Sequence, residues 1–258
     1  MLVLMGSGEN SPAMVTPHQK ILKTFGKTAK AHILDTPFGF QENADELTKK
    51  ISDYFSVNVG YPVSDIQLRN GEADPNAAIA EIDQAQWLFS GPGSPTYALR
   101  SWKKSGVDQA LLRLLDRGAI VLASAAAMTS GSKVMPVYEM YRAGEDPYWL
   151  DGINLLEAAT GINAAVVAHY NNMQGGTHDT RFCFIGERRM KVLDAMLPEG
   201  VAVLGVDEHT GVAFNLDEST AEIFGKGVLT LRKEGRQVEF QPKTTVSLDE
   251  IRQALSEL

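Results

Sequence analysis

Cysteine is almost missing from this sequence. The 258 residues include one, Cys183, so no intrachain disulfide can form, and such a chain suits a reducing compartment. Long apolar runs are missing too: no stretch approaches the ~18 residues that a membrane-spanning helix requires. Basic residues are in deficit, with 24 Lys and Arg against 32 Asp and Glu and a net charge of −8, which argues against a nucleic-acid or anionic-membrane partner. There is no internal repeat and no low-complexity tract. The opening "MLVLMGSGENSP" lacks a basic leader, and its apolar run ends after five residues, so it reads as a first strand rather than a signal peptide. The expectation is a soluble cytoplasmic protein.

What is present is ordinary globular material, 44% hydrophobic, enough to build one domain over residues 1–258 with a core and a pocket. Apolar runs at 2–5, 31–35, 65–68, 87–90 and 119–124 read as strands. Between them "MVTPHQKILKTF", "ENADELTKKISDYF", "NAAIAEIDQA" and "GVDQALLRLLDRG" space their apolar residues as helices do. This alternation predicts an α/β fold, a mostly parallel sheet flanked by helices on both faces. Residues 164–169 and 200–207 read as further buried strands. The tail alternates apolar and polar residues around the turn "KEGR", which predicts a short antiparallel C-terminal addition at a sheet edge. Ser247 and Glu250 have capping-box spacing at the start of a final helix.

Ligands of open α/β sheets bind at the carboxyl ends of the strands. Four loops are expected on that rim: "GSGENSP", "SGPGSP", "SAAAM" and "HYNN". In "AIVLASAAAMTSG" one hydroxyl, Ser124, stands between a buried strand and three alanines. Small neighbours let a strand turn sharply into a helix and display a nucleophile; equally, Ser124 could be the N-cap of a tightly packed helix. A serine nucleophile needs a base. His169 ends an apolar strand at the polar loop "HYNNMQGGTHD", with His178 as its rival, whereas His18, His32 and His209 read as structural or solvated. Gly91, Gly93 and the amide of Ala125 could supply oxyanion donors; the same glycines could simply serve a turn. No His, Cys, Asp or Glu cluster has metal-ligand spacing, and no cofactor is implied.

These pieces together resemble the dipeptidase E and cyanophycinase family of serine peptidases, which has a flavodoxin-like, class I glutamine amidotransferase-like fold. "GPGSPTYAL" is similar to that family's G-G-N-T-x-x-L loop, and "LASAAAM" to its G-x-S-A-G-A elbow, with Leu122 and Ala126 in place of two glycines. "VVAHYNN" and "GVDEHTGVAF" are similar to the histidine strand and the G-I-D-E-x-T-A strand pair. The resemblance implies Ser124 as nucleophile, His169 as base, Gly93 and Ala125 as oxyanion donors, and Ser94 at the family's loop Asn. The family's acid follows the serine by some fifteen positions, which implies Glu139; without that count Glu145, Asp146 and Asp151 are equal candidates.

The resemblance further implies a small peptide substrate, acidic or β-aspartyl, with Arg181 in "HDTRF" to bind its carboxylate. A surface ion pair is the other role open to Arg181. Two competing functions remain: a diverged member that binds a small molecule or regulates without hydrolysis, and a glutaminase-like amidotransferase. The latter needs an elbow cysteine, and Cys183 lies well along the chain in "RFCFIG". A homodimer is compatible with this size and class, though no residue demands it.

Overall fold

The computed structural model describes residues 1–69 and 74–258. The first five strand-like runs form β1 (Leu2–Met5), β2 (Ala31–Leu34), β3 (Ser64–Ile66), β4 (Trp87–Ser90) and β5 (Ala119–Ala123). After them come β6 (Lys133–Val134), β7 (Leu150–Asp151), β8 (Ala164–Val167), β9 (Ala202–Val206), β10 (Thr210–Asn215) and β11 (Thr220–Gly225). The chain finishes with β12 (Leu229–Lys233), β13 (Arg236–Phe240), β14 (Thr244–Ser247) and a helix, Leu248–Glu257.

The main sheet has the order β14-β11-β10-β1-β5-β4-β2-β3. Its run from β1 to β3 is parallel throughout. A parallel strand needs a crossover, and the helices Val15–Lys23, Ala44–Asp53, Pro75–Gln84 and Val107–Leu115 supply them. Both faces are covered, and the strand alternation shows how. Leu2, Leu4, Ile120 and Leu122 enter one apolar cluster, while Val3, Met5, Val121 and Ala123 enter another. Among the described residues no helix is long and apolar enough to cross a membrane.

The antiparallel tail is an edge addition, as expected: β10 pairs with β1, and β11 and β14 extend the main sheet beyond it. The placement of the histidine strand differs from expectation. Strands β12 and β13 join β9 and β8 in a second sheet of order β13-β12-β9-β8, so the strand that leads to His169 lies outside the main sheet. Alternating apolar residues report that a strand has a buried face but not which neighbour it pairs with. The "SGPGSP" segment also runs straight into a helix, Pro95–Ser105, with Pro95 in its first turn and Ser94 as N-cap.

The unusual residue of the elbow, Leu122, is fully buried in the larger cluster. It therefore serves the core of β5 rather than the turn. Leu122→Ala should lower stability by about 2–5 kcal/mol, read as a lower urea midpoint with an unchanged denaturant slope.

Candidate active site

Strand β5 stops at Ala123 and the helix Ala125–Thr129 begins at once, which leaves Ser124 alone to make the turn. Its backbone adopts φ 51 and ψ −116, a conformation that costs an L-residue of order 1–3 kcal/mol. Hydrogen bonds hold it from both sides. Ser124 N–H donates to the Met5 carbonyl at 2.9 Å, and Ala126 N–H donates to the Gly91 carbonyl at 3.2 Å. Three buried alanines, 125 to 127, let the backbone pack that closely. The hydroxyl caps no helical amide. Ser124 Oγ lies 3.0 Å from His169 Nε2 instead, so the serine is displayed rather than used as a cap.

The other side of the imidazole is also engaged. His169 Nδ1 lies 2.9 Å from Glu208 Oε1. A neutral ring that donates from Nδ1 to a carboxylate leaves Nε2 as an acceptor for the serine proton. The two asparagines of "HYNN" hold the carboxylate in place: Asn172 Nδ2 donates to Glu208 Oε1 at 2.9 Å, and Glu208 N–H donates to Asn171 Oδ1 at 2.8 Å. Asn172 N–H in turn donates to the His169 carbonyl at 3.1 Å, which closes the unit.

Glu139 is not the carboxylate at the histidine, and neither are Glu145, Asp146 or Asp151; that position belongs to Glu208. Glu139 lies in the short helix Val137–Tyr141. Tyr138, Tyr141 and Arg142 of this segment line the cavity beside Ser124, and Glu139 is not among the lining residues. The missed residue did leave a signal. Glu208 follows the fully buried strand β9 by two residues in "GVDEH", on the rim where charged groups meet ligands.

The Gly93 and Ala125 amides both border a cavity of about 220 Å³ at Ser124, and neither donates to a protein acceptor among the described residues. Gly93 has φ 144, and a Cβ there would lie 1.9 Å from the Pro37 carbonyl oxygen, so no other residue fits. Ser94, expected near the substrate, has its hydroxyl occupied: Oγ accepts from Tyr97 N–H at 3.1 Å, as a helix cap does.

The cavity's remaining walls come from Pro95, Met128, Val137, Tyr138, Tyr141, Arg142, Cys183 and Phe184. Phe182, Cys183 and Phe184 all have positive φ, a left-handed turn pinned to the histidine strand by Phe182 N–H to Tyr170 O and Cys183 N–H to His169 O. The turn brings Cys183 to the cavity, although it is distant in sequence. Burial pushes its thiol up to about 12, so it stays protonated at neutral pH and is no competing nucleophile.

Arg181 is not at this cavity. Its guanidinium pairs with Asp179 at 2.8 Å and lies 3.5 Å from Glu187, and it lines a separate depression with Arg232. The cation at the Ser124 cavity is Arg142, which lies over the Tyr141 ring and makes no ion pair among the described residues. The other histidines are elsewhere. His18 is fully buried, and His178 and His209 are exposed. His32 sits at the far end of β2, 3.7 Å from Glu81. No group of three or more His, Cys, Asp or Glu among the described residues could hold a metal.

Peptidase family S51 matches residues 2–221, most of the chain. The chain belongs to peptidase family S51. It is a serine peptidase by that membership. Two solved structures share the fold of this S51 peptidase. One is a peptidase from an acI-B1 Actinobacterium, at 21% identity and TM-score 0.76 over 95% of this chain and 96% of that one. The other is a candidate peptidase E protein from Listeria monocytogenes EGD-e, at 12% identity and TM-score 0.55 over 93% and 97%. No curated protein matches this sequence.

Two variants separate Glu208 from Glu139. Glu208→Gln keeps the shape but loses the charge that orients and stabilises the imidazolium, and should slow reaction of Ser124 with a fluorophosphonate by roughly 10³–10⁴-fold. Glu139→Gln should leave the labelling rate unchanged.

Proposed function

We propose that this peptidase hydrolyses short peptides through an acyl-enzyme on Ser124. The carrying observation is the Ser124–His169–Glu208 alignment, with hydrogen-bond distances of 3.0 and 2.9 Å. In this reading Ser124 Oγ attacks the peptide carbonyl carbon while His169 Nε2 takes its proton. The carbonyl oxygen becomes an oxyanion that the Gly93 and Ala125 amides receive. His169 then delivers the proton to the leaving amine as the C–N bond breaks. Water attacks the resulting ester, passing its proton to His169, and release of the acid returns that proton to Ser124.

Cavity size and charge support an acidic or β-aspartyl peptide as substrate. A volume of about 220 Å³ suits one or two residues rather than a long chain. Arg142 offers an unpaired guanidinium to a substrate carboxylate, the role that Arg181 cannot take while bound to Asp179. We further infer one domain over the whole chain, cytoplasmic residence and no nucleic-acid partner, on the single cysteine and the net charge of −8. A homodimer remains compatible with this size.

Fluorophosphonate labelling followed by intact mass tests the chemistry. One adduct is expected on the wild type, lost in Ser124→Ala and strongly reduced in His169→Ala; no adduct on folded wild type counts against an activated serine. Arg142→Gln should raise KM for acidic dipeptides by about 10-fold or more and leave the labelling rate alone. An unchanged KM would remove Arg142 from recognition.

A further inference from the structure

The second sheet carries a depression of about 210 Å³ that the chemistry above does not use. Strand alternation builds it on one face. Asp207 follows β9 in phase with Gly205, Thr230 and Arg232 alternate along β12, and Gln237 and Glu239 alternate along β13. Register brings them together, with Thr230 opposite both Gly205 and Glu239, and Arg232 opposite Gln237. The Tyr170 ring crosses β9 at Gly205, where a Cβ would lie 2.3 Å from it.

The positive charges here are committed. Arg232 binds Asp194 at 2.7 Å and Glu187 at 2.9 Å, and Arg181 binds Asp179 at 2.8 Å. Two carboxylates are not. Asp207 is 6% exposed and accepts from Val228 N–H at 2.9 Å, while Glu239 accepts from Gln237 Nε2 at 3.3 Å. Neither forms an ion pair among the described residues. Burial, with Glu239 and Glu208 nearby, pushes the Asp207 carboxyl above its ordinary range. A third group is also unsatisfied. Tyr170 is 6% exposed, and its Oη, though drawn toward Arg232, completes no hydrogen bond among the described residues. Buried polar groups rarely lack a partner. No metal-holding group of three forms among the described residues, so these acceptors suit an organic cation. An ammonium directs its three N–H donors to separate acceptors, whereas a planar guanidinium suits a single bidentate one.

The depression and the Ser124 cavity share a wall one residue thick. His169 and Cys183 line the cavity, and Glu208 reaches His169 from behind. Their chain neighbours Tyr170, Phe182 and Asp207 line the depression. Asn171 lines it too, and its Oδ1 accepts from Glu208 N–H at 2.8 Å. We propose that this depression is an effector site for a primary ammonium group, held by Asp207, Glu239 and Tyr170, and that its occupation slows reaction at Ser124. The slowing rests on the serine-peptidase reading above; the binding does not. A cation at Asp207 weakens the negative field behind Glu208 that favours the His169 imidazolium. Peptide hydrolysis releases an amine at every turnover, so the ligand is either that product or an unrelated amine.

The probe is propylammonium, with propanol as the neutral control, titrated into isotope-labelled protein and followed by NMR. Wild type should bind propylammonium saturably, with shifts centred on Asn171 and Asp207, and should not bind propanol. Asp207→Asn, which can still accept from Val228, and Glu239→Gln should each weaken binding by about tenfold or more. Saturating propylammonium should slow fluorophosphonate labelling of the wild type by about fivefold, the lower end of ordinary coupling between sites. Each variant, compared with itself at the same concentration, should be slowed far less. Competition by free aspartate or leucine would identify the released product as the ligand, and its absence would identify a separate amine; both outcomes keep the site. No saturable binding to the wild type, or undiminished binding by both variants, would overturn it. Binding without slowed labelling would overturn the effector role. Absence of labelling in amine-free wild type would overturn the serine-peptidase reading and the slowing with it, while the titration would still decide the site.

Discussion

The backbone of Ser124 sits at φ 51, where a residue with a side chain normally does not go, and the hydrogen-bonded row from Ser124 through His169 to Glu208 depends on its being kept there. A strand that ran on would turn the hydroxyl into the sheet, and a relaxed helix start would spend it on a cap. Parallel pairing of β5 with β1 and β4 anchors one side, and the Ala126–Gly91 hydrogen bond anchors the other. The strain costs on the order of 1–3 kcal/mol, less than the burial of a single core residue such as Leu122 contributes. That comparison explains why the elbow can carry Leu122 where glycine is usual. At this position the strand needs core more than the turn needs space.

The second half of the site is stitched to the first from another sheet. His169 has φ 49, and in the positive-φ turn 182 to 184 Cys183 N–H donates to its carbonyl and Phe182 N–H to that of Tyr170. Such a turn costs about 1–2 kcal/mol per residue and persists because its surroundings over-determine it. The neighbouring charge network supplies part of that support. Arg232, almost fully buried, binds Asp194 and Glu187, while Arg181 binds Asp179. Phe182 lies between the two guanidiniums, each 5.2 Å from its ring centroid. Arg181 thus shapes the wall from behind, and holding Asp179 leaves it no free guanidinium for a substrate.

Arg142 stands outside this pairing. Exposed at the Ser124 cavity, it makes no ion pair among the described residues and is the guanidinium that the proposed substrate carboxylate would meet. Neither the Ser124–His169–Glu208 row nor the Gly93 and Ala125 amides would supply that selection.

The sequence alone determined the layered α/β plan, the elbow serine and the rim histidine, because each is local. Period-two and period-3.6 patterns report burial within a few residues, and small residues after a strand report a tight turn. It also carried the acid, in "GVDEH" at the end of β9, but a count along the chain pointed to Glu139 instead. Only the tertiary structure decided that Glu208, far from His169 in sequence, completes the hydrogen-bonded row, and that Arg142 replaces Arg181 at the cavity. Strand pairing and left-handed turns set those positions. Both depend on which surfaces meet across tens of residues, and spacing along the chain does not encode that distance.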